Sequence, residues 1–187
     1  VAKEFQRKRI DYLKIVWQRD RELKSEGFSV VDTAIKTALA IFEERTQNAS
    51  STSDLLSTEA QLTKKLYKYA SNAVNIEGFK RIHQSSDSAN DFLNHGNYLA
   101  YGLAASCLWV LGIPHGFAVL HGKTRRGALV FDVADLIKDA IVLPWAFICA
   151  KEKATEQEFR QQVLQKFTEQ KALDFMFETV KFAANNY

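Results

Sequence analysis

Chain breakers and cross-links are scarce in this sequence. Its two cysteines, Cys107 and Cys149, are too few for a disulfide scaffold or a Cys-rich zinc site. Both lie among apolar neighbours, which suits buried, reduced thiols. Two prolines and eight glycines in 187 residues leave long stretches free to run as helix. No stretch alternates apolar and polar residues with period two for long enough to build a sheet, and no internal repeat is present. Charge of one sign is also lacking: 25 Lys and Arg against 22 Asp and Glu leave a net +3, too little to name a partner. Apolar residues are plentiful. At 47% hydrophobic and 12% aromatic, the chain has enough apolar surface to offset the entropy of ordering, which excludes a disordered segment. Its length suits one domain with a substantial core.

The chain opens on Val1 rather than Met, which hints at a processed product, an excised domain or an incomplete chain. No signal-peptide pattern follows, because Lys3, Arg7, Lys8 and Arg9 open a charged amphipathic stretch instead. The run from Tyr98 to Leu120 has no Asp, Glu, Lys or Arg and is long enough to be weighed as a membrane span. Gly102, Gly112 and Pro114 interrupt it, so a buried helix ending near Gly112 needs fewer assumptions, and no membrane partner is expected.

Spacings of three and four between Phe5, Ile10 or Leu13, Val16 or Trp17, and Leu23 predict a helix over 2–26, ended by Gly27. A second helix is predicted from Asp32 to about Arg45, followed by the polar linker TQNASSTS (46–53). A third runs from about Asp54 through Leu55, Leu62, Leu66 and Tyr69. Asp87 or Ser88 can cap the apolar helix that ends at Leu111. After a short extended piece and the basic loop 121–127, another helix begins near Val130. Thr155 and Glu158 form a capping box that opens one last helix carrying Phe159, Val163, Phe167, Leu173, Met176, Phe177 and Val180. The expected fold class is all-α, a single multi-helix domain over 1–187.

Some polar residues do not fit this apolar background. In ALVFDVADLIKD (128–139), Asp132 and Asp135 are three apart and share a helix face, and His121 lies 14 residues before Asp135. Two carboxylates and one imidazole suit Mg2+ or Mn2+. The same residues also admit a structural reading, in which Asp132 caps the helix, Asp135 pairs with Lys138 or Arg126, and Glu59 favours the start of its own helix. Bases cluster locally. Lys3, Arg7, Lys8, Arg9, Lys14, Arg19, Arg21 and Lys24 outnumber Glu4, Asp11, Asp20 and Glu22; Lys64, Lys65, Lys68, Lys80 and Arg81 face only Glu77; and loop 122–127 carries Lys123, Arg125 and Arg126 without an acid. Such faces, interleaved with Tyr67, Tyr69, Tyr98 and Tyr101, suit phosphates and stacked bases, although a charge run also describes an ordinary solvated helix face.

Taken in order, these segments resemble the helical catalytic domain of CRISPR-associated protein 1, the integrase that inserts new spacers. TEAQLTKKLY (58–67) resembles the family's EG-containing helix, with Ala60 in place of the usual Gly. DSAN (87–90) resembles its D-x-x-N, and Tyr101-Gly102 falls where a Tyr-Gly pair is frequent. LGIPHGFAVLHG (111–122) resembles G-x-x-P-x-x-G-F-x-H with one additional residue before the histidine. LVFDVADLIKDAIVLPWAF (129–147) is the nearest piece, and the wording is most similar to subtype I-F.

The resemblance implies that Glu59, His121 and Asp135 bind a divalent metal, Mg2+ or Mn2+. It makes Asp132 an accessory acid that orients the site or adds a weak ligand, and Lys138 the lysine one turn beyond the metal aspartate. Glu77 in NIEGFKR (75–81) lacks the tyrosine eight residues on and is set aside. A tyrosine that precedes the accessory acid in some members is Phe131 here. Lys123, Arg125, Arg126, Lys138, Tyr101, Lys64 and Lys68 are the expected DNA contacts. The implied activity is metal-dependent DNA cleavage and joining, with DNA 3′-hydroxyl ends attacking repeat phosphodiesters. The implied partners are double-stranded DNA (protospacer and CRISPR repeat), CRISPR-associated protein 2 or its helicase-nuclease fusion, and a second copy, in the prokaryotic cytoplasm. The family's N-terminal β-rich dimerisation domain has no counterpart in these residues. A catalytically silent helical scaffold, or a mobile-element integrase of the same chemistry, is the alternative.

Overall fold

The computed structural model describes residues 1–82, 87–122 and 126–186. Helices dominate, and no strand occurs among the described residues. In chain order they are α1 (Ala2–Arg19), α2 (Arg21–Ser25), α3 (Thr33–Asn48), α4 (Thr52–Ala73), α5 (Ser88–Val110), α6 (Ala128–Ile137), a π-helical turn (Lys138–Val142), α7 (Leu143–Lys151), α8 (Glu156–Glu169) and α9 (Ala172–Asn186). The all-α expectation holds.

Several boundaries differ from the periodicity, and local chemistry explains each. The first predicted helix breaks at Asp20, whose extended backbone and carboxylate cap α2 by accepting from the N–H groups of Glu22 and Leu23. A buried leucine on each side, Leu13 and Leu23, keeps the apolar period running through that break, so spacing alone hides it. The connection between α3 and α4 shrinks to 49–51. α3 runs on to Asn48, and Ser51 forms a capping box with Asp54 that starts α4 at Thr52. The predicted last helix is two, α8 and α9, separated at 170–171, where Lys171 has a left-handed backbone (φ 53°). Residues 113–120 are turns and irregular chain rather than an extended piece. The predicted caps at Asp87 and Thr155 are present.

α5 is the central element. It packs against α6, the π-turn, α7, α8 and α9, while α1 covers α6 and the π-turn and α3 pairs with α4. Gly96 makes this packing possible, because a Cβ there would lie 2.5 Å from Val142 Cγ1 and 3.1 Å from Phe159 Cζ. Trp17 on α1 is fully buried against Phe28 and Tyr69, and its indole N–H donates to the Ala140 carbonyl inside the π-turn at 3.0 Å. Burying one such ring is worth about 1.5–3 kcal/mol. The hydrogen bond also satisfies a carbonyl in the irregular turn. At the far end, the buried Lys166 ammonium of α8 meets Asp20, Glu22 and Glu169 and lies over the Trp145 ring. Among the described residues, no helix is long and apolar enough to cross a membrane. Both cysteines are buried and free, and burial pushes the Cys107 thiol up to about 11.

Candidate metal centre

Three elements far apart in sequence deliver Glu59, His121 and Asp135 to one place. Each offers one ligand atom, and these atoms all lie within 4.8 Å of one another. Glu59 is in the second turn of α4, on the same face as Thr63 and Tyr67. Asp135 is buried in the middle of α6, and His121 is on the loop before it. They line a cavity of about 130 Å³ together with Arg9, Lys138 and Asp139.

Asp132 explains the position of the histidine. Gly127, not Asp132, is the residue before α6, so the capping reading fails. The Asp132 carboxylate instead reaches back to the preceding loop. Its Oδ2 accepts from the backbone N–H groups of Val119 and Leu120 at 2.8 and 3.1 Å. Its Oδ1 accepts from the His121 N–H at 3.2 Å and lies 2.7 Å from the ring Nδ1. One buried acid therefore folds the loop and fixes the imidazole, leaving Nε2 3.8 Å from Asp135 Oδ2. That hydrogen bond is the main reason the His121 pKa is raised, with smaller contributions from Asp135 and Glu59.

The two ligand carboxylates are held differently. Burial pushes Asp135 up, but Lys138 and Arg9 outweigh it, so its pKa falls below the ordinary value. Lys138 binds Asp135 and rests 5.2 Å from the Tyr101 ring centre, and Asp135 keeps its ammonium charged despite burial. Glu59 goes the other way: burial raises its pKa, and the attraction of Arg9 recovers only part. Arg9 Nη1 sits 2.8 Å from Glu59 Oε1. Glu59 Oε2 is buried and has no hydrogen-bond partner among the described residues. A buried carboxylate oxygen without a donor, beside a second carboxylate and an oriented imidazole, is a donor set that fits Mg2+ or Mn2+.

Apart from Lys138, none of the predicted DNA contacts among the described residues lines this cavity. Lys64 and Lys68 are exposed on α4, and Arg126 is exposed at the loop end; Lys123 and Arg125 lie outside the described residues. Tyr101 is half-buried, edge-on to Phe131 at 4.8 Å and to Tyr98 at 6.1 Å. Tyr69 donates to the Gly27 carbonyl and accepts from the Ser29 N–H, a packing role. Sequence reasoning missed Arg9 and Asp139 as participants and counted Arg9 with the surface bases. The signal was present: Phe5, Arg9 and Leu13 are spaced by four, so Arg9 falls on the buried face of α1.

Fold and cavity together define a helical domain built around one candidate site for a hard divalent cation. The family described as CRISPR associated protein Cas1 matches residues 1–178, and the chain belongs to it. It is 50% identical over 185 residues to the CRISPR-associated endonuclease Cas1 of Pseudomonas aeruginosa, covering 98% of this chain and 57% of that protein. It is 48% identical to the protein of the same name from Pectobacterium atrosepticum, covering 97% and 56%. The chain thus spans about half the length of the curated relatives it matches. The fold is similar to the crystal structure of TtCas1 (TM-score 0.63, 20% identity, 91% of this chain and 64% of that one). It is equally similar to that of a TtCas1-DNA complex (TM-score 0.64, 21% identity, 91% and 63%).

Proposed function

We propose that this chain is the catalytic domain of a metal-dependent DNA endonuclease and integrase of CRISPR spacer acquisition, with wording closest to subtype I-F. The convergence of Glu59, His121 and Asp135 on one cavity, with Glu59 Oε2 left without a hydrogen-bond partner among the described residues, carries the reading. Membership of a family whose relatives bear the name endonuclease supports the DNA chemistry, as does a fold shared with a DNA-bound neighbour. In strand transfer a 3′-hydroxyl oxygen forms a new bond to a phosphodiester phosphorus, while the bond to the existing 3′ oxygen breaks. A Mg2+ or Mn2+ ion at this site would supply activation of the attacking oxygen and neutralisation of phosphoryl charge.

The chain's own residues do the rest. Glu59 and Asp135 would hold the ion from separate helices, and His121 would present Nε2 to it because Asp132 occupies Nδ1. Lys138 holds Asp135 in place and lines the same cavity, within reach of a bound phosphate. Arg126, Lys64 and Lys68, with Lys123 and Arg125, would hold flanking phosphates, as would Tyr101, whose ring lies against Lys138. CRISPR-associated protein 2 or its helicase-nuclease fusion, a second copy of the protein and a cytoplasmic setting complete the proposal. The test is Mn2+-dependent nicking and half-site joining by the full chain with the partner added, comparing Glu59→Ala, His121→Ala and Asp135→Ala. Each should lose activity while retaining its helical circular dichroism; full activity in any folded single variant overturns the assignment.

The ion pairs Arg9–Glu59 and Lys138–Asp135 favour a second reading, a metal-indifferent scaffold whose acids are neutralised internally. Calorimetric titration with Mn2+ separates the two. Saturable binding lost in Glu59→Ala supports the enzyme, and absence of binding supports the scaffold.

A further inference from the structure

We propose that Arg9, on the first helix, is a positioning residue for the metal centre: it grips Glu59 by Oε1 and thereby presents Oε2 alone to the cation, with Asp139 as its anchor. This rests on the metal-site reading above.

Arg9 is almost fully buried (3% exposed), and every polar group around its guanidinium belongs to the rim or wall of the cavity. Its Nε donates to Asp139 Oδ2 at 2.6 Å, and Nη2 lies 2.5 Å from the same oxygen. Nη2 also reaches Thr63 Oγ1 at 3.4 Å, one turn beyond Glu59 on α4. Nη1 is left facing Glu59 Oε1 at 2.8 Å, a charge contact outside hydrogen-bond geometry, so that Nη1, like Glu59 Oε2, has no hydrogen-bond partner among the described residues. The planar fork thus joins α1, α4 and the π-turn, with Nε and Nη2 both on Asp139 and Nη1 turned to Glu59. Asp139 lies one turn after Asp135, yet it is spent on Arg9 and does not belong to the triad. A glutamate side chain has three rotatable bonds, so without a grip on one oxygen its carboxylate can turn either or both oxygens to a cation. The guanidinium removes that freedom. It also fills the space between two acids that could otherwise draw a cation off the His121 side of the cavity.

The experiment compares three full-chain variants. Arg9→Met with Asp139→Asn removes the guanidinium together with its anchor, and leaves Glu59 to be neutralised by the cation or by a proton. Arg9→Lys keeps the charge but not the fork. Glu59→Ala reports on the site itself. Each is followed by circular dichroism, by the electron paramagnetic resonance spectrum of bound Mn2+, and by DNA cleavage at saturating Mn2+. The double variant and Arg9→Lys should bind Mn2+ with an altered zero-field splitting, and turnover should fall by about tenfold or more, the range usual for groups that orient metal ligands. If Glu59→Ala abolishes Mn2+ binding while both Arg9 variants keep the parent spectrum and turnover, the role of Arg9 is overturned and the triad stands. Mn2+ binding that ignores Glu59→Ala overturns the triad and the role of Arg9 with it. Should the double variant fail to fold, a folded Arg9→Lys with the parent spectrum and turnover is sufficient to overturn the proposal.

Discussion

Replacing Asp132 with Asn separates the two tasks of that carboxylate without changing its size. Aspartate offers two acceptor oxygens to four donors: the N–H groups of Val119 and Leu120 at one, and the N–H and Nδ1 of His121 at the other. An asparagine has one oxygen. Turned toward Val119 and Leu120, its NH2 group strands two N–H donors; turned toward His121 it strands only the backbone N–H, because the imidazole can carry its proton on Nε2 and accept at Nδ1. A buried donor left without an acceptor costs about 1–3 kcal/mol, so the cheaper orientation costs about 1–3 kcal/mol. That is a measurable share of the 5–15 kcal/mol (approximate range) by which domains are stable. At roughly 2–4 °C per kcal/mol for a chain of this size, the loss is visible as a lowered Tm and urea midpoint. Mn2+ affinity should fall with it, by about 10–100-fold, because the imidazole then carries its proton on Nε2, the atom that would face the ion. Urea unfolding and calorimetric Mn2+ titration measure the two effects. A folded Asp132→Asn chain with the parent midpoint and the parent Kd would show that this acid neither builds the loop nor aims the histidine.

Further outcomes follow from the same geometry. His121 has a pKa raised above its ordinary 6.5, so its protonated form stabilises the fold fully below that value, and the contribution is lost as pH rises through the folded value. The urea midpoint should therefore decline over that window in the parent and stay flatter in His121→Gln; equal slopes refute the Asp132–His121 coupling. Mn2+ affinity should run the opposite way and rise over the same window, because the ion competes with the Nε2 proton. Gly96→Ala should cost about 1–3 kcal/mol by overpacking α5 onto Val142, whereas Gly102→Ala on the same helix, with open space around it, should be neutral or gain up to about 1 kcal/mol. Thermal denaturation of the pair tests that contrast. Removing both exposed lysines, Lys64 and Lys68, should weaken DNA binding across sequences and lower its salt slope by about 2; an unchanged slope removes α4 from the DNA path.

Much of the helical fold was legible because its signals are local. Thr155 and Glu158, Asp87, and the apolar spacing of α5 can each be read within a few residues. What escaped depends on partners far along the chain. Asp20 ends one helix with its extended backbone and caps the next with its side chain, and the apolar period passes through it unchanged. The π-turn at 138–142 is held from outside by Trp17, and nothing within LIKDAIV announces it. For the site, the resemblance located Glu59, His121 and Asp135 and the spacing made them compatible. Burial of Arg9 and the loop-building role of Asp132 required the fold, since both act through backbone or carboxylate groups that no short motif contains.

The contact between Trp17 and Ala140 has a consequence for how the cavity comes into being. Together with Arg9–Asp139, it joins positions 123 and 130 residues apart. Closing such long intervals costs entropy before any contact repays it, and non-local pairings of this kind slow folding. The first helix lacks Asp139, the anchor of its buried guanidinium, until most of the chain has been made. The cavity therefore cannot exist in a half-folded chain. Cation capture would arrive late in folding, as a report that the earliest and the most distant segments have met.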